Sequence, residues 1–215
     1  MTSSKSPVLV MRKLLVLGAS GQIGTHLVRQ ALARGATVTA VVRDARKLPI
    51  EHPQLQIVVG SATDAAWLAK HVNDVDAVVS MLGHGDLSAS SLVTDAARAT
   101  IAAMEASSVR RLVVVSSTLV APGGSVLTFI PRTITRHALR DSADMEDLVR
   151  STSLDWTLLR LSRLTNGPVT SYRLSEDEPP SVLASVSRAT VAACMLDRLA
   201  DATSHRRTLG IASTR

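Results

Sequence analysis

The sequence is poor in cysteine and in aromatic residues, and each shortage excludes a class of protein. Of its 215 residues, one is cysteine, two are tryptophan, and tyrosine and phenylalanine occur once each. A single cysteine, Cys194, cannot form an internal disulfide, and its apolar surroundings in the sequence predict a place in the core. So few aromatic residues argue against a surface on which nucleic-acid bases stack. We therefore expect a cytoplasmic protein that does not bind nucleic acid.

Long hydrophobic runs and metal-ligand spacings are also missing. No apolar run approaches the ~20 residues that span a bilayer, and the histidines show no spacing typical of a zinc site. The apolar run near the start lacks a small-residue cleavage site and leads directly into a glycine turn, so we interpret it as a strand rather than a signal peptide. These absences predict no membrane partner and no metal.

Negative charge is in deficit. Lysine and arginine total 24 against 18 acidic residues, which gives a formal net charge of +6. An excess of this sign predicts an anionic partner. With base stacking disfavoured, a phosphate-rich dinucleotide accounts for the basic residues at least as well as a nucleic acid does.

The most informative stretch comes early in the chain, where residues 14–24 read LLVLGASGQIG. Four apolar residues predict a buried strand, and an amphipathic helical pattern follows the glycines. The first amides of a helix have no partners within it, so a strand, a glycine turn and a helix form an anion site. Gly18 permits the sharp turn, Gly21 lets a pyrophosphate approach the backbone, and Gly24 lets the helix pack closely. The pattern predicts a bound nucleotide.

Strand and helix patterns alternate along the rest of the chain. They predict a single α/β domain over residues 1–215, doubly wound around a mostly parallel sheet. We expect a flexible tail at 1–10, an irregular segment at 121–136 and a substrate-side segment at 160–186. Gly35 is expected to end the first helix and Asp64 to cap the second. The predicted strands are 14–17, 37–42, 56–59, 76–81, 111–115, 156–159 and 208–211, and the predicted helices are 22–34, 65–71, 94–107, 141–151 and 187–199.

Polar residues follow almost every predicted strand, and ligands of open parallel sheets bind beyond these carboxyl ends. Arg43, with Arg46 and Lys47 one turn on, follows the second strand. Basic residues there neutralise the 2′-phosphate of NADP, whereas an acidic residue binds the ribose hydroxyls of NAD. Because Arg43 comes first, we favour NADP(H), and Asp44 keeps NAD(H) as the lesser alternative. An exposed charged loop without a ligand is the other interpretation of this segment.

The fourth and fifth strands end in residues that can face the redox-active ring. Ser116, Ser117 and Thr118 supply three hydroxyls, and Ser117 is our choice for the donor beside the nicotinamide. Alternatively, these hydroxyls bind their own backbone in a turn. His84 follows the fourth strand between two glycines. For His84 a surface-loop histidine is the favoured interpretation, and a place beside the cofactor is the alternative.

Together these motifs resemble those of the atypical short-chain dehydrogenase/reductases with an NAD(P)H-binding domain. Among them the chain is most similar to the flavin reductase and biliverdin-IXβ reductase group, and the NmrA-like proteins are broader relatives. The resemblance covers residues 12 to 199 and implies a Rossmann fold. It is carried by the glycine turn at 18–24, by VVRD at 41–44 with KLP at 47–49, by VVG at 58–60, DAV at 76–78, LG at 82–83 with DLS at 86–88, VVVSS at 113–117 and PVT at 168–170.

The resemblance implies roles for particular residues. The cofactor would be held by Gly18, Ala19, Ser20, Gly21, Gln22, Ile23, Arg43, Lys47, Ser61, Ala62, Met81, Leu82, Gly83 and Ser116. Among these, Arg43 and Lys47 match the group's pair for the 2′-phosphate. Ser61 replaces an acidic residue, so that the adenine contact depends on the backbone and Ala62. Catalysis would involve Ser117, which falls on the group's active-site serine, with Thr118 and with Arg163, which falls near a substrate-side histidine.

One family feature is missing. Typical short-chain dehydrogenases use a tyrosine and a lysine four residues later, because the lysine lowers the pKa of the tyrosine. This chain has no lysine after Lys70, and its only tyrosine is Tyr172. Without that relay, we expect an NADPH-dependent reductase of a planar conjugated acceptor, such as a flavin, quinone or bilin, acting as a monomer or homodimer. The alternative is an NmrA-like redox sensor that binds NADP(H) and presents residues 122–140 to a partner protein.

Overall fold

Strands and helices alternate along most of the chain in the computed structural model, which describes residues 12–84, 91–120, 132–176 and 184–214. The strands are β1 Lys13–Leu17, β2 Thr37–Val42, β3 Leu55–Val59, β4 Ala77–Ser80, β5 Arg111–Ser117, β6 Asp155–Leu161, β7 Arg163–Thr165, β8 Tyr172–Glu176, β9 Ser185–Ser187 and β10 Arg207–Ser213. The α-helices are α1 Gln22–Ala33, α2 Ala65–Val72, α3 Leu92–Glu105, α4 Arg132–Arg150 and α5 Arg188–Leu199. Short 3₁₀ turns cover Ala45–Lys47, Thr118–Val120 and Ala202–Ser204.

Eight strands form one sheet in the order β3-β2-β1-β4-β5-β6-β10-β8. Seven of them run parallel, and β8 is antiparallel to β10 at one edge. The strands β7 and β9 form a separate parallel pair. The chain leaves β1 toward β2 on one side and returns to β4 on the other. This reversal opens a crevice above the carboxyl ends of β1 and β4, where dinucleotides bind in such sheets.

The sheet is covered on both faces, and alternate side chains of β1 enter two separate hydrophobic layers. Leu14 and Val16 pack in the layer that contains α1 and α5, whereas Leu15 and Leu17 pack in the layer that contains α2, α3 and α4. All four side chains are fully buried. An unbroken apolar strand is therefore required here, because both faces of a parallel sheet exclude water.

The amino ends of the central strands are held together by one buried cation. Arg111 begins β5 and is 2% exposed. Burial lowers the pKa of its guanidinium to about 10. Its hydrogen-bond acceptors are the carbonyl oxygens of Leu112, Asp155, Arg198 and Leu199 and the hydroxyls of Thr157 and Ser204. The side chain thereby joins β5, β6 and the last turn of α5 at the edge opposite the crevice.

The predicted alternation of strands and helices around a mostly parallel sheet is confirmed. The strand predicted at 37–42 has those bounds, and Cys194 is fully buried. Gly35 ends the first helix with φ +81°, the left-handed conformation expected of a cap. The carboxylate of Asp64 accepts the backbone N–H of Trp67 at 2.9 Å, so it caps α2 as expected.

The predicted bounds of β5, β6 and α4 are wrong. β5 continues through Ser117, and β6 through Leu161, so that Ser116 and Ser117 belong to the strand rather than to the loop after it. Helix α4 begins at Arg132, within the segment that was expected to be irregular. Its residues 136–140 are exposed or half-buried, so no apolar periodicity signals the helix before it reaches the core at Asp141.

The strands β7, β8 and β9 are not predicted by the sequence pattern. Two of them have three residues, and β8 is an edge strand in which no residue is fully buried. Runs this short carry too few apolar positions to reveal a period of two. The expected tail, part of the irregular segment and part of the substrate-side segment lie outside the described residues, as does the motif at 86–88.

Candidate functional site

The glycine turn after β1 is shaped by two close backbone contacts. Gly18 has φ +76°, which only glycine adopts without strain, and a Cβ there would lie 3.0 Å from the carbonyl group of Met81. The amide of Gly21 donates to the carbonyl oxygen of Gly18 at 3.0 Å and closes the turn. Glycine is therefore required at position 18, and the turn lies against the residue that follows β4.

The amino end of α1 opens toward this turn without a side-chain cap. Gly21 is the N-cap residue, no side chain of the described residues accepts from the first amides, and the first turn contains no acidic residue. These unpaired amides carry the partial positive charge of the helix, which suits a phosphate. A Cβ on Gly24 would lie 2.2 Å from the carbonyl oxygen of Gly18, so this glycine sets the distance between helix and turn. The side chain of Ala19 is fully buried in the layer that contains α1 and α5.

The residues that follow β2 divide into a neutralised pair and two exposed cations. The carboxylate of Asp44 accepts from Nε and Nη2 of Arg46, both at 3.0 Å, and from the Arg46 amide at 3.1 Å. The hydrogen bonds to Arg46 hold the pKa of Asp44 below its ordinary value. Arg43 and Lys47 are exposed, and neither side chain forms an ion pair with another described residue. This end of β2 thus presents two positive charges and no uncommitted carboxylate.

The loop after β3 is covered by an indole ring. A Cβ on Gly60 would lie 2.3 Å from the ring of Trp67, so only glycine allows the indole to cover this backbone. The indole also contacts the ring of His71, with centroids 4.3 Å apart. Ser61 is exposed and its hydroxyl bonds that of Thr63 at 2.8 Å, while Ala62 is half-buried. The sequence analysis does not predict this role of Trp67. The cap at Asp64 fixes the first turn of α2 and with it the position of Trp67, so the cap is the signal in the sequence.

The loop after β4 starts beside the glycine turn. Met81 is 8% exposed, Leu82 is half-buried and Gly83 is exposed. His84 is not a surface-loop histidine, contrary to the favoured interpretation. Its side chain is 15% exposed, and Nε2 lies 3.0 Å from Oδ2 of Asp141 on α4. Sequence analysis did not predict this contact, because the two residues lie 57 positions apart in the chain.

The hydroxyls at the end of β5 have different surroundings. The Ser117 hydroxyl is half-buried and accepts the Leu119 amide at 3.2 Å, which leaves its own proton available. The Thr118 hydroxyl is buried and donates to the carbonyl oxygen of Leu161 at 3.2 Å. Ser116 is 9% exposed. Ser117 is therefore the most accessible hydroxyl of the three.

A buried ionic cluster lies below these hydroxyls. Glu146 on α4 is fully buried, and its oxygens accept from Nε and Nη2 of Arg160 at 3.0 and 2.7 Å and from Nη2 of Arg150 at 2.6 Å. Burial alone raises the pKa of this carboxyl, but Arg160 and the nearby Ser116 hydroxyl outweigh it, so the pKa is lowered. Glu146 was not predicted, although it shares the apolar stripe of Met145 and Val149.

Two further residues of the sequence argument lie on the later strands, β7 and β8. Arg163 is exposed on β7, and its side chain has no hydrogen-bond partner among the described residues. Tyr172 donates its hydroxyl proton to Oδ2 of Asp197 at 2.7 Å, and Asp197 also pairs with Arg34. Burial, with the neighbouring Cys194 and Asp197, raises the pKa of Tyr172 above its ordinary value. The only tyrosine of the sequence is thus bound to α5.

The sheet topology brings most of the predicted cofactor residues to one edge. Leu17 pairs with Ser80, and Ser80 with Val114, so the ends of β1, β4 and β5 lie side by side. Neighbouring strands are ~4.8 Å apart, which places Ser117 about 10 Å across the sheet from the glycine turn. Arg43 lies on the opposite side of β1. These residues therefore line the carboxyl edge of the sheet from β2 to β5.

Within the described residues, no cluster of three or more potential metal ligands occurs. The described helices include none that is both long and apolar enough to span a membrane.

Sequence comparison assigns the chain to a family. The family model described as NAD(P)H-binding matches residues 18–202. An uncharacterised chloroplastic protein of Arabidopsis thaliana is 29% identical over 201 residues, which cover 87% of this chain and 72% of that protein.

Solved structures agree with this assignment. A Rossmann-fold NAD(P)-binding family protein from Shigella flexneri superposes with a TM-score of 0.73 at 28% identity over 94% of both chains. An anaerobillin reductase from Escherichia coli O157:H7 gives 0.77 at 24% identity over 94% of this chain and 97% of that one. A short-chain dehydrogenase/reductase from Veillonella parvula in complex with NADP gives 0.75 at 23% identity, over 94% and 95%. The chain belongs to the NAD(P)H-binding family and has its Rossmann fold.

Proposed function

We propose that this protein is an NADPH-dependent reductase that transfers a hydride to a planar conjugated acceptor, such as a flavin, a quinone or a bilin. The observation that carries the proposal is the end of β2, where Arg43 and Lys47 are exposed and Asp44 is committed to Arg46. This arrangement lies one strand away from the uncapped amino end of α1. A pyrophosphate and a 2′-phosphate would each meet positive charge.

The choice between NADP and NAD depends on what Asp44 can do. An acidic residue at this position accepts hydrogen bonds from the ribose hydroxyls of NAD, and an ion pair at the same oxygens competes with them. Here both oxygens accept hydrogen bonds from the Arg46 side chain at 3.0 Å. Arg43 and Lys47 retain their donors for a phosphate, and a guanidinium can bind it through two N–H groups. NADP bound to the Veillonella parvula neighbour supports the same choice.

The nicotinamide supplies a hydride when the dinucleotide is bound. The chain's own residues would hold it: Gly18, Ser20, Gly21, Gln22 and Ile23 at the pyrophosphate, and Ser61 with Ala62 near the adenine. Met81, Leu82, Gly83 and Ser116 would border the nicotinamide. Ser117 would direct its free proton into the crevice, with Thr118 supporting the same turn and Arg163 on the substrate side.

A conjugated acceptor fits the absence of a tyrosine–lysine relay. Reduction of an isolated carbonyl needs a proton delivered to a poor alkoxide, whereas a conjugated ring system delocalises the incoming charge. Tyr172 is bound to Asp197, and no lysine follows it in the sequence. Alignment of two rings would then supply most of the rate. An anaerobillin reductase with this fold supports the class of acceptor.

Turnover assays test the proposal directly. NADPH oxidation, followed by the loss of absorbance of the reduced nicotinamide, should occur with FMN, riboflavin, biliverdin or a quinone and not with an aliphatic ketone. NADH in place of NADPH should raise KM. Tight NADP binding without turnover on any of these acceptors would refute the reductase and favour the redox sensor. For that alternative, residues 132–140 of the expected partner segment are helical, and residues 121–131 lie outside the described part of the chain.

A further inference from the structure

A carboxylate–imidazole pair borders the crevice in the loop that follows β4. Nε2 of His84 lies 3.0 Å from Oδ2 of Asp141, and the two side chains are 15% and 3% exposed. The proposed cofactor residues include neither of them. Burial of a carboxylate and an imidazole costs free energy unless both are hydrogen-bonded, so the contacts that hold this pair determine its stability.

Asp141 is held in one orientation by α3. Its Oδ2 accepts the Val93 amide at 3.1 Å, and its Oδ1 accepts the Thr94 amide at 3.0 Å. The Thr94 hydroxyl donates to the carbonyl oxygen of Asp141 at 2.8 Å. Ser91 precedes the helix and provides no side-chain cap, so a residue of α4 caps α3 instead. Both carboxylate oxygens are thereby fixed in space.

The fixed carboxylate orients the imidazole of His84. A carboxylate accepts hydrogen bonds, so Nε2 carries the proton between the two residues. The second nitrogen, Nδ1, has no hydrogen-bond partner among the described residues. Because Nε2 is anchored on a fixed carboxylate, Nδ1 can give up a proton and take it back without reorientation of the ring.

The connectivity places this pair at the carboxyl edge, over β4 and β5. Met81 contacts Gly18 of the glycine turn, and His84 lies three residues further along the same loop. On α4, which runs from the crevice toward the start of β6, Asp141 precedes Glu146 by five residues. At ~1.5 Å per residue it lies about 7 Å nearer the crevice than Glu146, which stands beside Ser116.

We propose that His84, positioned by Asp141, donates the proton that completes reduction of the acceptor. The inference rests on the proposed function. Hydride transfer brings two electrons and one hydrogen to the acceptor and leaves it as an anion. The Nδ1–H bond of the His84 imidazolium then breaks and its proton bonds to that anion. A proton from water restores the imidazolium, so that one NADPH and one proton are consumed for each acceptor reduced.

Other charged groups lie close enough to influence this proton transfer. Arg98 neutralises Asp95 at 2.7 Å. The groups that line the groove beside Asp141 come from α3 and α4, namely Asp95, Arg98, His137, Arg140 and Asp144. Among the described residues these carboxylates and guanidiniums pair with one another, Arg98 with Asp95 and Arg140 with Asp144, whereas Asp141 contacts the imidazole of His84 directly.

The test compares His84→Gln with His205→Gln. The glutamine amide can still donate to Asp141, so the loop stays anchored, but it cannot transfer a proton. His205 is a matched control because its Nδ1 lies 3.8 Å from Oδ1 of Asp155 at the opposite edge of the sheet. For each variant we would measure kcat from about pH 5 to 8, where imidazoles titrate. NADP⁺ affinity by calorimetry and the unfolding midpoint complete the set.

We expect His84→Gln to lose about 100-fold or more in kcat, with NADP⁺ affinity changed less than about twofold. The wild-type rate should fall as the imidazole loses its proton, and the variant rate should be flat. In wild-type NMR spectra, NADP⁺ should shift the His84 imidazole resonances and leave those of His205 in place. The inference would be wrong if His84→Gln kept the wild-type kcat, if His205→Gln lost as much kcat, or if His84→Gln lost only NADP⁺ affinity. Each of these results would leave the proposed function intact. Absence of wild-type turnover would overturn the proposed function and this inference together.

Discussion

Reversal of one charge at the end of β2 gives the sharpest test of the cofactor assignment. The change is Arg43→Glu, and the comparison is between NADPH and NADH, which differ only in the 2′-phosphate. Arg43 is exposed and has no ion-pair partner among the described residues, so its replacement leaves the packing of β2 intact. Any change in affinity then reports on the ligand rather than on the fold.

The magnitude follows from two contributions. A hydrogen bond to a charged group contributes about 1.5–3 kcal/mol, which corresponds to roughly 10- to 150-fold in Kd at 1.4 kcal/mol per tenfold. The new carboxylate adds repulsion of about 1 kcal/mol in water, and up to about 4 kcal/mol where solvent is partly excluded. The smallest sum of the two, about 2.5 kcal/mol, corresponds to roughly 60-fold, so we expect NADPH to bind at least about 60-fold more weakly, while NADH changes less than about threefold.

Calorimetric titration of each dinucleotide measures both constants. Arg29→Glu is the matched control, because it makes the same charge change at an exposed position of α1, about 10 Å along the helix from its first residue. That control should change NADPH affinity only slightly, since a distance above the Debye length of ~8 Å screens the charge. Equal losses for NADPH and NADH in Arg43→Glu would refute a contact between Arg43 and the 2′-phosphate.

Three further changes probe the site and its support. Gly24→Ala places a Cβ 2.2 Å from the Gly18 carbonyl oxygen, so calorimetry should show similar, large losses for NADPH and NADH; an NADPH-specific loss would contradict this. Glu146→Gln leaves Arg160 buried without its anion and should cost about 3–5 kcal/mol in urea unfolding; a neutral effect would count against the pair. Because the pKa of Glu146 is lower in the folded protein than its unfolded value of 4.5, the ionised carboxylate stabilises the wild type above pH 4.5. This stabilisation should be lost as the pH falls through the pKa of the folded state, and the variant, which has no carboxyl there, should show no such loss. Burial raises the pKa of the Cys194 thiol to about 12, so thiol reagents at neutral pH should label it only at the rate of unfolding; rapid labelling of folded protein would disprove this.

Local patterns account for the fold from β1 through β5. A strand buried on both faces, a glycine turn and an amphipathic helix each carry their own signal, and Gly35 and Asp64 end or begin helices as their chemistry requires. The later part of the chain was harder to predict, because its strands are short and the first turns of α4 lie away from the core. There, tertiary contacts decide the structure.

The site shows the same division. Gly18 and the basic residues after β2 could be singled out from the sequence, since a strand, a turn and a charge pattern are local. The commitment of Asp44 to Arg46 is also local, but its geometry is visible only in the structure. The pairing of His84 with Asp141 joins residues 57 positions apart, and no single-sequence pattern encodes it. Contacts between distant parts of the chain decide whether a polar side chain such as His84 is held in one orientation by hydrogen bonds.

The arginine at the start of β5 has a consequence for how the scaffold can vary. Arg111 is a buried cation whose hydrogen-bond acceptors are neutral oxygens, two of them carbonyls at the end of α5, where the helix dipole is negative. Its anchoring role is confined to the rim that faces away from the ligand. Loops on the ligand rim can therefore be lengthened, shortened or recharged without disturbing that anchor, and one frame can accommodate acceptors of quite different outline.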